Sequence, residues 1–409
     1  MTARSGLVEP LAIGLAKRVR PARIGSLVVA VFLATTAQAQ AQTLDESYAV
    51  ELTRGPVTGP AQIVGMAGAI TSMAAGAGAQ QFNPAAVANR YEYNPDTYFD
   101  WDFEIDGFFT QVVPFRIDLE NNGLSTDDGG GDDIAEISTA LALNFGRLGV
   151  GFTASAVSYS FLDEGRSYTA YQIAPTAGYN FLNGQLVVGG GVQFALATLE
   201  ENVDLLRLSG IGFTGGAIYR PEGLPFRVGA SFATGLIYGQ REVLVEQTPA
   251  GVTLVRGLEV PWQVTLGASG TIGPRWKNYN RSFGGVQGRA AVNRARRYVT
   301  LSADLVFTGA SDKATGFEAW ATDTLQAAGE DLSVSFRVGA DSEFWQDRMR
   351  GRIGYYYEPS RFQETDGRHH VTAGMDVHLF DFVIPWRATW AIDLAPRYTN
   401  ILLSLGVWH

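Results

Sequence analysis

The feature that most constrains this chain is a side-chain alternation of period two, kept up over segments much longer than ordinary strands. Near the C-terminus Val371, Ala373, Met375, Val377 and Leu379 alternate with His370, Thr372, Gly374, Asp376 and His378. Trp386, Ala388, Trp390, Ile392 and Leu394 alternate in the same way with Arg387, Thr389, Ala391 and Asp393. Successive side chains on a strand point to opposite faces, so each segment has one apolar face and one polar or small face. Several segments run roughly 11–15 residues, against about 5–6 in soluble strands and about 9–11 for an oblique bilayer crossing.

A soluble sandwich also alternates, so the composition of each face decides. One face carries Gly, Ser and Thr together with charges, which suits a wet lumen, and the other is crowned by Trp262, Tyr355, Tyr357, Trp386 and Trp390, as membrane-interface girdles require. No run of about 18 apolar residues follows the N-terminal region, so no transmembrane helix is expected. The expected fold class is all-β, a transmembrane antiparallel β-barrel. Fourteen segments are counted, from 98–110 through 398–409. Tight connections such as Gly146-Arg147, Leu182-Asn183-Gly184 and Gln346-Asp347 alternate with longer ones, as periplasmic turns and outer loops do. The long connection 273–296 falls on the periplasmic side, and a hairpin hidden there would raise the count to sixteen.

The chain holds no Cys, 48 Gly and a net charge of −10. Disulfide scaffolds, thiolate metal sites and Cys nucleophiles are thereby excluded, and the acidic balance argues against a nucleic-acid partner. The basic residues Arg4, Lys17, Arg18, Arg20 and Arg23 precede an apolar run, Ile24 to Ala34, and small-residue cleavage sites at Ala37–Ala41. This order reads as a secretory signal over 1–41. The expected location is the outer membrane of a Gram-negative-type bacterium. Outer-membrane lipids surround such a barrel, and its assembly machinery would engage the terminal amphipathic strand, Ile401 to His409.

Residues 42–97 do not fit a barrel. The stretch from Gly65 to Ala88 is uncharged and dominated by Gly and Ala, side chains small enough to pack inside a confined lumen. The expected organisation is therefore a signal (1–41), an N-terminal hatch (42–97) and a barrel (98–409). Gly65-Met-Ala-Gly-Ala followed by Phe82-Asn83-Pro84-Ala85-Ala86 resembles the N-terminal hatch of the FadL/TodX family of outer-membrane long-chain fatty-acid and hydrocarbon transporters. The segments from Phe336 to Asp341 and from Arg352 to Tyr355 are similar to that family's closing strands. The resemblance implies a plugged fourteen-strand barrel that takes up hydrophobic small molecules, with Phe82, Asn83, Pro84 and Ala85 in the gating hatch and lateral release through the wall. It implies no cofactor.

Within the expected lumen rows, Arg227, Arg337, Arg352 and Arg387 are candidates to hold a ligand carboxylate, although acids such as Asp304, Asp341, Asp376 and Asp393 can neutralise them there. Pro175 and the triplet Gly189, Gly190 and Gly191 weaken the ladder and are candidate wall kinks. Asp127 to Asp133 reads as a solvated acidic loop, and no metal site is expected, because adjacent His369 and His370 face opposite sides of a strand. Enzyme activity would need a Ser–His pair, with Ser404 and His378 the nearest candidates, and is not expected. The alternative to transport is a barrel of the same fold acting as a scaffold or attachment factor for surface proteins.

Overall fold

The computed structural model describes residues 48–52, 55–90, 98–109, 118–123, 133–161, 166–201, 203–243, 256–274, 276–280, 298–321 and 325–408. The expected signal sequence, the acidic stretch Asp127 to Asp132 and most of the basic 275–297 connection lie outside these residues.

Fourteen antiparallel strands form one closed ring. They are β1 (Phe99–Phe109), β2 (Asp133–Phe145), β3 (Leu148–Phe161), β4 (Arg166–Phe181) and β5 (Leu186–Glu201). Next come β6 (Val203–Tyr219), β7 (Phe226–Ala233, resuming as Leu236–Val243) and β8 (Gly257–Val260, resuming as Gln263–Ile272). The ring continues through β9 (Val299–Thr308), β10 (Ser333–Trp345), β11 (Met349–Glu358), β12 (Arg368–Phe382), β13 (Ile384–Ala395) and β14 (Tyr398–Val407). β14 closes onto β1, with Leu403 opposite Gly107 and Leu405 opposite Ile105. β8 pairs directly with β9, so the long 273–298 connection inserts no hairpin between them and the count is fourteen.

The period-two rows fall as the sequence implies. Ile173, Phe194, Phe213, Leu266, Ile353 and Leu403 point outward and are exposed, forming an apolar belt. Their neighbours Thr176, Gln193, Asp304, Arg337 and Ser404 point inward and are buried. Tight turns take left-handed backbone where they must, at Gly146 (φ 60°) and through Leu182, Asn183 and Gly184. A closed ring leaves no unpaired edge in the hydrocarbon, which is what permits strands to span a membrane. The chain is an outer-membrane barrel.

Inside the ring, residues 55–90 descend from the outer mouth toward the periplasmic turns. Ala49–Glu51 adds in parallel between Gly257–Glu259 and Ala314–Gly316 at the outer end, and Arg90 reaches the carbonyl of Gly146 at the other. This inner segment is nearly all buried. It holds one short helix, Ala61–Val64, and two 3-10 turns, Gly78–Gln81 and Pro84–Ala88. The three-residue parallel pairing and a five-residue helix in the β9–β10 loop, Phe317–Ala321, were not expected, since neither is long enough to show a period.

Candidate ligand site in the barrel lumen

A buried segment with so little regular structure has many backbone N–H groups to satisfy, and the wall supplies acceptors for them. Ala61 N donates to Ser404 Oγ (2.8 Å), Thr71 N to Asp304 Oδ2 (2.9 Å), Ala77 N to Asp102 Oδ2 (2.7 Å) and Val57 N to the Tyr356 hydroxyl (3.2 Å). Gln62 joins Glu104 (2.7 Å) and Arg387 (3.1 Å), which are themselves paired at 2.7 Å. The acidic row of β1 thus grips the hatch. Asn83 caps the Pro84–Ala88 turn by accepting from Ala85 N (3.0 Å), and its amide donates to Thr71 O (2.8 Å), so one side chain fixes two passes of the hatch. Lumen glycines let the backbones meet. A Cβ on Gly354 would lie 2.7 Å from the Ala67 Cβ, and one on Gly189 would overlap the Pro84 carbonyl.

A polar column runs from the hatch to the outer mouth. The Tyr356 hydroxyl donates to Asp393 Oδ2 (2.6 Å), and His370 bridges Asp393 (2.9 Å) and Glu358 (2.6 Å). Arg368 then joins Glu358 (2.6 Å) to the Leu119 carbonyl (3.0 Å). His369 faces outward, onto the Tyr355 hydroxyl (2.6 Å).

Above the hatch lies a cavity of about 290 Å³. Its floor is Val57, Gly68, Phe82 and Pro84, and its walls include Tyr159, Tyr168, Leu236 and Val260. Toward the outer mouth an apolar cluster of Val50, Leu258, Phe317 and Trp320 packs around Tyr168 and Leu236. Polar side chains share the lining, among them Gln81, Gln172, Gln193 and Gln263, and its charged residues are Glu136 and Arg337. A concave space that combines aromatic and aliphatic walls with placed polar groups is a common form of small-molecule site.

The cavity also reaches the wall, at Phe232, Ala233, Leu236 and Gln263. There the ladder is interrupted on both sides of Thr234-Gly235. Toward β8, pairing stops at Ala233–Gln263 and resumes at Leu236–Val260, skipping Pro261 and Trp262. Toward β6 regular pairing stops at Ala233–Thr214 and resumes at Ile237–Ile211; between them Thr234 N donates to the Phe213 carbonyl (2.9 Å) and Phe213 N to the Thr234 hydroxyl (2.8 Å).

No family model matches the chain and no curated protein does. Solved structures do. The crystal structure of a Pseudomonas aeruginosa FadL homologue matches with a TM-score of 0.53 at 13% identity, over 86% of this chain and 98% of that one. The fold is that of the FadL-type barrel. Two crystal structures of the Pseudomonas putida toluene transporter TodX are also similar, at 13% and 12% identity with TM-scores of 0.47 and 0.48. They cover 82% and 89% of this chain and 95% and 99% of their own.

Within this FadL-type barrel the four lumen arginines part company. Arg352 is bidentate to Asp376 (2.5 and 2.7 Å) and also pairs with Asp341 (2.9 Å). Arg387 serves Glu104 and Gln62, and Arg227 holds Asn280 Oδ1 and the Tyr279 carbonyl, each at 2.7 Å. Arg337 alone of the four lines the cavity. Pro175 faces outward within β4 and interrupts pairing with β5 only between Ile173–Phe194 and Thr176–Gly191. Gly189 faces the hatch and Gly191 the Pro175 carbonyl, while Gly190 faces outward. The wider break in the wall, at Thr234-Gly235 and Pro261-Trp262, escaped sequence reading because the alternation continues through it; Pro261 was its one visible sign. Ser404 and His378 do not meet: Ser404 bonds Asp106 and Ala61 N, whereas His378 bonds the Asp347 carbonyl and Asp381 (each 3.0 Å).

Proposed function

We propose that this barrel is an outer-membrane uptake channel for hydrophobic small molecules, gated by its hatch, with release sideways through the wall. The observation that carries the reading is the cavity itself. It is bounded below by the hatch and touches a stretch where regular pairing of β7 with β8 lapses and that with β6 shifts register. A molecule held there has the hatch as one boundary and the interrupted seam as another. Leaving by the seam delivers an apolar solute to lipid without crossing water, and the apolar belt outside receives it.

The natural absence of cysteine makes a clean test possible. A Cβ on Gly178 would lie 3.1 Å from that of Ala88, a few tenths of an ångström short of the roughly 3.5–4.5 Å of a disulfide. The variant carrying Ala88→Cys and Gly178→Cys ties hatch to wall. Uptake of labelled toluene, an alkane and a long-chain fatty acid is measured in intact cells lacking other such transporters. Loss of uptake when oxidised and recovery with reductant are expected. Undiminished uptake by the fully cross-linked barrel removes the gating role, and no uptake of any of the three by the unmodified chain removes the transport reading.

A further inference from the structure

Arg337 is 7% exposed and lines the lumen cavity, yet no hydrogen bond or ion pair links it to any other described residue, and its Nε is buried without a partner. Its position makes this unusual. Asp304 is its register partner on β9 and would be the natural counter-ion, but one Asp304 oxygen accepts from Thr71 N of the hatch and the other turns toward Gly267 on β8. One of the guanidinium amino groups, Nη1, reaches the backbone of hatch Gly68, where a Cβ would stand 2.7 Å away. Arg352 and Arg387 pair with wall carboxylates and Arg227 bonds Asn280 Oδ1 and the Tyr279 carbonyl, so Arg337 differs from the other three candidates.

Removing a guanidinium from water without a partner is among the costliest arrangements a fold can contain, and the cost is recovered when an anion pairs with it. Guanidinium presents its donors as a planar fork that matches a carboxylate bidentately. The space around it fixes the rest of the ligand. At about 290 Å³ the cavity lies at the low end of small-molecule sites, a volume that suits a compact ligand body. Phe82, Tyr159 and Tyr168 offer aromatic faces to a ligand body.

Resting on the uptake reading above, we propose that the lumen cavity is a recognition site for a compact monocarboxylate with an aromatic or branched apolar body, its carboxylate held by Arg337. A bare hydrocarbon fills the same volume but leaves the guanidinium unanswered, so the site discriminates between the two. Glu136, which lines the same cavity, disfavours a second negative charge on the ligand.

The test uses the full chain in lipid nanodiscs and titration calorimetry with benzoate, benzamide, benzyl alcohol, toluene and decanoate. Benzoate is expected to bind best, with benzamide, toluene and decanoate each at least tenfold weaker. Arg337→Gln is expected to weaken benzoate at least tenfold and leave toluene unchanged, and Arg337→Lys to retain part of the benzoate affinity. Toluene binding as tightly as benzoate, or benzoate affinity unaltered in Arg337→Gln, overturns the assignment. If Arg337→Gln does not fold, benzoate against benzamide on the unmodified chain decides, since the pair differs mainly in charge. Toluene bound and transported without preference for benzoate defeats this inference alone; failure to bind or take up any apolar compound defeats the uptake reading beneath it.

Discussion

Gly216 on β6 and Asn83 in the hatch share one space: a Cβ at position 216 would overlap the Asn83 carboxamide oxygen. That oxygen caps the Pro84–Ala88 turn and the amide beside it holds Thr71 O, so the small wall residue is a condition for the hatch fold. Gly216→Ala is therefore expected to expel Asn83 at a cost of about 1–3 kcal/mol, the usual range for overpacking a filled site. The barrel keeps its ladder, because the strand itself tolerates Ala. Its signature is a hatch cleaved by protease within residues 60–90 and a higher ion conductance in planar bilayers. A protected hatch and unchanged conductance in the Gly216→Ala variant would show that the two residues are not coupled.

The Glu104–Arg387–Gln62 cluster makes a different prediction, because here charges are buried together. Arg387→Met strands Glu104 inside the lumen and is expected to destabilise by about 3–5 kcal/mol, the range found when one partner of a buried pair is removed. Adding Glu104→Gln removes the stranded charge and should restore most of that loss. Urea unfolding of the two single variants and the double variant measures the coupling, and additive losses would contradict the pairing.

How much of this could be read before folding differs between wall and site. The strands were legible because a two-residue period repeats over a dozen positions with one face apolar, and Gly146, Asn183-Gly184 and Asp347 marked the turns. The hatch was legible from a small-sided stretch with no place in a soluble core. Arg337 could not be told from Arg352 in the sequence, since both stand on inward rows opposite an aspartate. What separates them is that Asp376 is free to meet Arg352, whereas Asp304 is drawn to Thr71, 233 residues earlier in the chain. A side chain's partner set by a distant hatch amide leaves no local trace. The seam at Thr234-Gly235 was hidden for a related reason, because the alternation names faces and not hydrogen bonds.

That seam carries its own prediction. Phe213 N has the Thr234 hydroxyl where a ladder carbonyl would otherwise stand. Thr234→Val keeps the shape and deletes the acceptor, leaving an amide without a partner at a cost of about 1–3 kcal/mol. Amide exchange at Phe213 is expected to quicken while exchange at the unbroken centre of β3 stays slow. Equal protection of Phe213 in both proteins would mean that the seam is held by something other than Thr234.

The outer mouth responds to pH through Glu120, which lies in the β1–β2 loop outside the membrane-spanning strands. Its two carboxyl oxygens accept from Phe317 N and Glu318 N, each at 2.9 Å, and so hold down the short helix Phe317–Ala321. Burial raises its pKa from 4.5 to about 8, the two backbone amides lower it in part, and nearby Glu51 and Asp118 raise it further. Between 4.5 and about 8 the folded mouth keeps a proton that the unfolded loop gives up. The folded state thus binds more protons than the unfolded one, so stability falls as pH rises through that window and is greatest below it. Amide exchange at Phe317 and Glu318, corrected for the intrinsic rate, should show protection declining from pH 5 toward about pH 8. Glu120→Gln, which cannot ionise and keeps an acceptor, should flatten the decline. A decline of the same size in the Gln variant would assign the titration to another group.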